Sequence, residues 1–389
     1  MKSDTSITTV REIMLEFAAL TGLSPAMKTP RRYLWSDAFA VCNYLELYRQ
    51  TGDDHYRHLA LSLVDQVHYT LGRHREDDTR TGWISGLGEQ DGKKHPTMGG
   101  LRIGKKMNER RPSDPIDEEL EWDRDGQYYH YLTKWMHALN RVSRVTGDPA
   151  YNAWAIELAK TAHAKFTYIT SFGGPKRMYW KMSIDLDSPL VGSMGHHDPL
   201  DGLITYGELQ ATAEDFKQAD RPDLTLEIAD MAGICEGKNW DTDDPLGIGG
   251  LLCSAYTVAQ LSTIAAPGHV DMLDMLLDSS LRGLCFYARG DPLKVPAQYR
   301  LAFRELGLSI GLRAVQRIQD LIERNPHRFS VRQLHPRVAS LLAYAPLGRE
   351  IEAFWLEPGH RKPGPWREHR DINMVMLATS LAPDGYLML

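Results

Sequence analysis

The sequence predicts an all-α chain of six helical hairpins closed into a ring. Three observations predict it. The phrases TGDDHYRHLALSLVDQV (51–67) and TGDPAYNAWAIELAKTA (146–162) align without a gap, setting Tyr56 over Tyr151, Ala60 over Ala155 and Leu63 over Leu158. Each follows an aromatic-rich stretch of helical period, 37–50 and 126–145, so that helix, short turn, helix is written twice. The segment 245–264 carries no charged residue, as expected of a helix buried on every side.

Taken in order, the first helix (8–21) lacks a partner until the last (about 370–382) returns to it. Between 37–50 and 51–67, Gly52 can end one helix in the left-handed conformation while Asp53 caps the next. Gly147, Asp148 and Pro149 repeat that turn as terminator, N-cap and first helical residue. Looser copies pair 200–218 with 222–236, 245–264 with 269–287, and 298–317 with 331–345. Six helices are then inner and buried on both faces, and six are outer and amphipathic. Two insertions, about 73–124 and 168–199, each fall between an outer helix and the next inner one, which places both at the rim where inner helices begin. In the first, GGLRIGKK (99–106) reads as a solvated hairpin in preference to a loop for an anionic substrate group. In the second, MYWKMSIDLDSPL (178–190) alternates like a short strand pair. A single domain, 1–389, is expected.

With its TGD…Y…A hairpin turns, this pattern resembles the six-hairpin (α/α)6-barrel superfamily. That superfamily includes many glycoside hydrolases, unsaturated-uronyl hydrolases and the N-acylglucosamine 2-epimerases. The resemblance spans nearly the whole chain as architecture. It implies an (α/α)6 barrel, a six-hairpin toroid with short β excursions in its rim loops, and a carbohydrate-processing enzyme. No family-specific motif accompanies it, and fold does not determine function.

Composition narrows the partners. The 389 residues are 42% hydrophobic and 25% charged with net charge −6, which offers no broad basic field to nucleic acid. A small-molecule carbohydrate substrate fits better, and the sequence leaves a homo-oligomer open. Neither a phosphate-cradling P-loop nor a strand-linked dinucleotide fingerprint is present, so no organic cofactor is expected. Cys42, Cys235, Cys253 and Cys285 are far apart and read as buried free thiols. Asp4, Arg11, Glu12 and Glu16 interrupt any secretory apolar run, and the expected location is the cytoplasm. Segment 245–268 is long enough to span a bilayer, but Ser254, Tyr256, Thr257, Gln260, Ser262 and Thr263 make it too polar for lipid.

Ahead of the inner helices a theme recurs: LWSDAF (34–39), EWDRDGQYYHY (121–131), GHHDPLDG (195–202), NWDTDDPLG (239–247) and PWREHRDIN (365–373) each set a Trp or His near an Asp. The remaining start, PAQYRLAFRELG (296–307), offers Tyr299, Arg300, Arg304 and Glu305 instead. Asp37, Asp125, Asp198, Asp244 and Asp371 can serve as N-caps, most of all Asp198 and Asp244, which precede proline. Capping leaves Asp241 and Asp243 over. Neighbouring carboxylates resist ionising together, so one can keep its proton near neutral pH. Glycoside hydrolysis needs such an acid and a base or nucleophile across the sugar, and residues from different helix starts suit that separation. Glu121, Asp123 and Asp125 on one start, with Asp241 and Asp243 on another, are the catalytic candidates.

Trp35, Trp122, Trp240 and Trp366 are candidate sugar platforms, each equally able to wedge the rim as packing. Asp37, Gln127, Tyr128, His196, His197, Asp198 and Arg304 complete the candidate substrate contacts. His196 and His197 lack the spacing of a metal pair, so no metal is expected. His137 reads as a satisfied core histidine. The first reading is therefore a glycosidase-like hydrolase. The alternative is a sugar epimerase or isomerase of the N-acylglucosamine 2-epimerase type, its acid/base groups drawn from His130, His196, His197 and His369. DTDD (241–244) is also similar to the Asp-x-Asp-Asp acid of class II terpene cyclases, with Asp243 as the acid, but Pro245-Leu246 and a polar rim depart from that pattern.

Overall fold

The computed structural model describes residues 2–111, 114–115, 117–170, 173–216, 223–264, 270–329 and 334–389. The fold is all-α with short β excursions in the long loops. In chain order the elements are α1 (Lys2–Thr21), α2 (Leu34–Thr51), α3 (Asp54–Leu71), α4 (Glu89–Lys94), α5 (Glu118–Glu121), β1 (Gln127–Tyr128), α6 (Tyr129–Thr146) and α7 (Pro149–Phe166). Strands β2 (Thr167–Ile169), β3 (Lys176–Met178), β4 (Lys181–Met182) and β5 (Pro189–Val191) precede α8 (Asp198–Asp215) and α9 (Thr225–Cys235). The rest is α10 (Pro245–Ile264), α11 (Val270–Arg289), α12 (Ala302–Arg324), α13 (Leu334–Leu342), α14 (Ala345–Leu356), α15 (Gly364–Glu368), α16 (Arg370–Leu381) and α17 (Asp384–Leu387). Two compact units result: a middle unit, Ala18–Tyr48 with Gly52–Gly237, and a terminal unit, Met1–Phe17 with Arg49–Thr51 and Lys238–Leu389.

In the middle unit the repeated turns form as predicted. Gly52 and Gly147 end their helices at φ 69° and 75°, where any Cβ would be strained, and Asp53 and Asp148 accept the backbone N–H groups of His55 and Ala150, each at 2.9 Å. Leu34 to Leu47 are buried without interruption, so α2 has no solvent face over its first three-quarters. Helix α6 packs on α7 and α8. Polar groups inside this packing meet one another: His137 Nδ1 lies 2.9 Å from both carboxylate oxygens of Glu208, and the Asn140 amide donates to Asn152 and Thr212. His137 is the core histidine expected. Burial works against its charge, but the Glu208 carboxylate and Cys42 together more than offset this and raise its pKa to about 10.

The two insertions meet within this unit. Strand β4 pairs antiparallel with β1 on one side and β5 on the other, so the predicted strand pair at 178–190 exists and is joined to the start of α6. The Arg80 guanidinium, held by Asp78, spans Glu109 (2.5 Å) of the first insertion and Asp185 (2.8 Å) of the second. GGLRIGKK is not a solvated hairpin. Leu101 and Ile103 are fully buried and the segment threads inward, because Leu101, Arg102 and Ile103 find hydrogen-bond partners there in Gln127, Leu71 and Gly126.

In the terminal unit α10 packs on α11 and α12, and α12 also receives α13, α14 and α16. A Cβ on Gly249 would strike the backbone of Gly307, so the close approach of α10 and α12 requires glycine there. The most apolar 18-residue window of α10 is 61% buried, as a core helix is. The outer helix expected over 331–345 is instead α13 and α14, since Pro346 supplies no N–H and starts a new helix at its first turn; residues 331–333 lie outside the described residues. Of the four thiols, all free, only Cys42 is fully buried. The other three are half-buried, which corrects the expectation.

Candidate functional site

The strongest candidate site lies in the middle unit, where the loops set the starts of α6 and α8 against each other. Asp125 is completely buried. One carboxylate oxygen accepts from the N–H groups of Gly104 (2.9 Å) and Gly126 (3.1 Å), and the other from Arg102 (2.5 Å) and Arg75 (3.1 Å). Gln127, equally buried, donates to the carbonyls of Gly99 (3.0 Å) and Ile184 (2.7 Å) and accepts from the N–H of Leu101 (2.8 Å). Asp125 ties the first insertion to the start of α6, and Gln127 ties the two insertions together. The catalytic role expected of Asp125 and the substrate contact expected of Gln127 are corrected to holding the loops that present the site.

That scaffold delivers β1 directly into α6, so Tyr128, His130 and Tyr131 project from one helix start. Opposite, Pro199 at the first turn of α8 sets the helix start, and Asp198 is its first residue. His130 Nδ1 lies 3.7 Å from Asp198 Oδ1, beyond hydrogen-bond reach, and His130 Nδ1 and Asp198 Oδ2 are buried without a hydrogen-bond partner. Burial lowers the His130 pKa to about 4, with Asp201 pulling it up and Lys134 down. Burial raises the Asp198 pKa to about 8, reinforced by the Asp201 charge and opposed by Lys134. Near pH 7 this is a neutral imidazole beside a protonated carboxylic acid. Asp198 is not the helix cap expected, because His197 holds the N-cap position and Asp198 is already the first helical residue; a Cβ on Gly195 would collide with its carboxylate, so the approach needs glycine.

Aromatic rings surround the pair. His130 lies near Trp35 (6.0 Å between centroids), Tyr128 (5.4 Å), Tyr131 (4.8 Å) and Trp180 (6.3 Å, stacked). Tyr33 and Tyr131 share a 2.5 Å hydroxyl contact, and burial raises the Tyr33 pKa to about 12. The Trp35 indole N–H is a further buried group without a partner. Trp122, 55% exposed, meets Trp180 edge-on at 5.0 Å. Of the sequence-selected residues, Trp35, Trp122, Tyr128 and Asp198 thus assemble around His130. Tyr33, Tyr131 and Trp180 were not selected; the QYYHY run and the alternation around Trp180 were the available signals. Asp37 is buried, receives the N–H of Tyr33 at 2.9 Å and lies 3.4 Å from Arg32, so it anchors the start of α2.

Glu121 and Asp123 differ from each other. Glu121 is 6% exposed, with Arg110 at 3.8 Å and Lys181 at 4.0 Å, and neither of its carboxylate oxygens is hydrogen-bonded. The Lys181 ammonium donates to the carbonyls of Glu121 (2.6 Å) and Arg124 (2.9 Å) and lies over the Tyr128 ring, while burial lowers its pKa to about 8. Asp123 is exposed. His196 is exposed and His197 half-buried, their rings 4.7 Å apart.

The remaining candidates lie in the terminal unit. Asp241 is held by the Arg282 guanidinium at 2.7 and 2.8 Å, which lowers its pKa. Asp244 caps α10 through the N–H of Gly247 (3.0 Å) and pairs with Arg304 at 2.8 Å. Asp243 is exposed, which does not suit the desolvated acid of a cyclase. The crowding of Asp241 and Asp244 is thus answered by two arginines rather than by a shared proton, which corrects the acid/base reading of Asp241. Trp240 is 1% exposed and Trp366 6% exposed, the latter stacked on Trp355 at 5.5 Å; both are packing residues rather than sugar platforms. His369 lies against Phe303 at 5.4 Å, and Asp371 is in the first turn of α16.

The middle-unit site defines a class: two buried ionisable side chains, His130 and Asp198, set side by side with aromatic rings around His130. No protein-family model and no curated protein matches the chain. Among solved structures, a sugar epimerase from a ruminal bacterium is similar at TM-score 0.45 and 10% identity, over 90% of this chain and 87% of that one. The cellobiose 2-epimerase of Spirochaeta thermophila DSM 6192 is similar at TM-score 0.48 and 12% identity, over 95% of this chain and 97% of that one. Likeness at this level decides no reaction.

Proposed function

We propose that this chain is a sugar isomerase or epimerase in which His130 and Asp198 each exchange a proton with the bound sugar. The reading takes the six hairpins as one (α/α)6 domain over 1–389, and a small carbohydrate as substrate. The observation that carries it is the contact of a neutral imidazole with a neutral carboxylic acid, 3.7 Å apart, each with an unmet polar atom inside an aromatic wall. In an open-chain sugar, His130 removes the proton from the carbon beside the carbonyl while the Asp198 hydroxyl donates to the carbonyl oxygen. The resulting enediol is a neutral isomer of the substrate, with the carbon-derived proton on His130 and Asp198 left as carboxylate. His130 then returns that proton to one of the two carbons while the hydroxyl on the other carbon gives its proton to Asp198, which restores both groups with no oxidant, reductant or cofactor. The two groups are too close together to flank a carbon from opposite faces, so the proton leaves and returns on one face. That favours aldose–ketose interconversion, and 2-epimerisation requires the intermediate to present its other face by rotation.

The hydrolase reading, put first from sequence, is supported less well. Asp125 and Asp241 are both committed to guanidinium groups, so neither carboxylate faces a sugar. The test is incubation of hexoses and cellobiose in D2O, followed by NMR. Deuterium at C1 or C2 with ketose or epimer formation, lost in His130→Gln and Asp198→Asn, is expected. Release of reducing ends from glycosides without deuterium incorporation would restore the hydrolase.

A further inference from the structure

A cavity of about 540 Å³ lies within the terminal unit, between α1, α15 and α16, far in sequence from His130 and Asp198. Its polar rim is Arg361, Arg367 and Arg370 with Glu16, and Trp366 and Met374 contribute to its apolar floor. Three guanidinium groups face one lining carboxylate, and that carboxylate is paired with Arg370. Arg361 is fixed by donating from Nη2 to the carbonyl of Leu356 at 2.6 Å, with its guanidinium 5.8 Å from the Trp366 ring centroid. Its Nε is buried without a partner. Burial lowers the Arg361 pKa, with Glu16 and Glu357 opposing that shift. A buried donor left unmet is destabilising, and a volume of this size is typical of small-ligand sites.

We infer that this cavity is a second ligand site, for a phosphomonoester carrying a ring. A planar guanidinium matches phosphate oxygens bidentately, and the Arg361 Nε and Arg367 supply donors not used by Glu16. The apolar lining of Ile13, Met374 and Leu377 receives the ring. A neutral sugar would leave the surplus positive charge unanswered, and inorganic phosphate would leave the floor uncovered.

The test is calorimetric titration of the full chain with phenyl phosphate, inorganic phosphate and phenol at low salt. Phenyl phosphate is expected to bind at least tenfold more tightly than inorganic phosphate, phenol not to bind, and affinity to fall as salt rises. Arg361→Met is expected to abolish binding. Arg367→Gln, at an exposed position that leaves the Leu356 contact intact, is expected to weaken it about tenfold, so the proposal does not depend on the first variant folding. Absence of phenyl phosphate binding at millimolar concentration, or equal affinity in wild type and Arg367→Gln, overturns it.

Discussion

Replacing Asp198 by asparagine is expected to stabilise the protein at neutral pH while removing its activity. The carboxyl group is 5% exposed, and its pKa rises from the ordinary 3.8 to about 8. Between those values the unfolded chain has released the proton and the folded chain retains it, so stability falls as pH rises, by about 1.4 kcal/mol per pH unit. At pH 7 the accumulated cost is about 4 kcal/mol. Asparagine has nearly the same shape and no proton to release, so it escapes this cost and also fits beside Gly195. His130 acts in the opposite sense. Its pKa falls from 6.5 to about 4, so it adds stability as pH rises through that window and masks Asp198 in the wild type below pH 6.5. The difference between variant and wild type isolates the carboxyl group. Urea denaturation of both proteins at pH 5, 6 and 7 should show the advantage of Asp198→Asn growing by about 1.4 kcal/mol per unit. Parallel curves, or a variant less stable than wild type at pH 7, would refute the claim that Asp198 is a buried neutral acid.

The same pair shapes the activity profile. A neutral His130 and a protonated Asp198 coexist between about pH 4 and 8, so kcat/KM of the free enzyme should form a plateau there and fall on both sides, as rate measurements across pH will test. Asp125→Asn leaves Arg102 buried beside a neutral amide and should cost about 3–5 kcal/mol in thermal or chemical unfolding. A loss below about 1 kcal/mol would remove Asp125 from its role in the loops. Gly147→Ala forces a side chain into φ 75° at the second repeated turn and should cost about 1–2 kcal/mol in urea denaturation.

The hairpins were legible because their signals are local. A Thr-Gly-Asp turn needs only a left-handed glycine and a capping carboxylate, and both were readable at 51–53 and 146–148 without knowledge of any distant contact. The uncharged run that became α10 was legible for the same reason, since a helix with no polar face must be covered. The division at 331–345 was missed where Pro346 restarts the helix, a signal present in the sequence but weaker than the periodicity around it. Candidate site residues fared unevenly. An aspartate before a helix looks the same in sequence whether arginine neutralises it, as at Asp241 and Asp125, or burial protonates it, as at Asp198.

The sequence by itself determined the helices, their pairing into hairpins, the place of the two insertions and the general region where aromatic and ionisable residues gather. Only the tertiary structure decided which of those residues work together: that Arg75 and Arg102 claim Asp125, that Arg282 claims Asp241, and that His130 faces Asp198 inside a wall of tyrosines and tryptophans. The physical reason is range. Helix propensity and capping depend on neighbours a few residues away, whereas the charge state of a carboxyl group depends on partners and burial supplied by segments tens of residues distant in the chain.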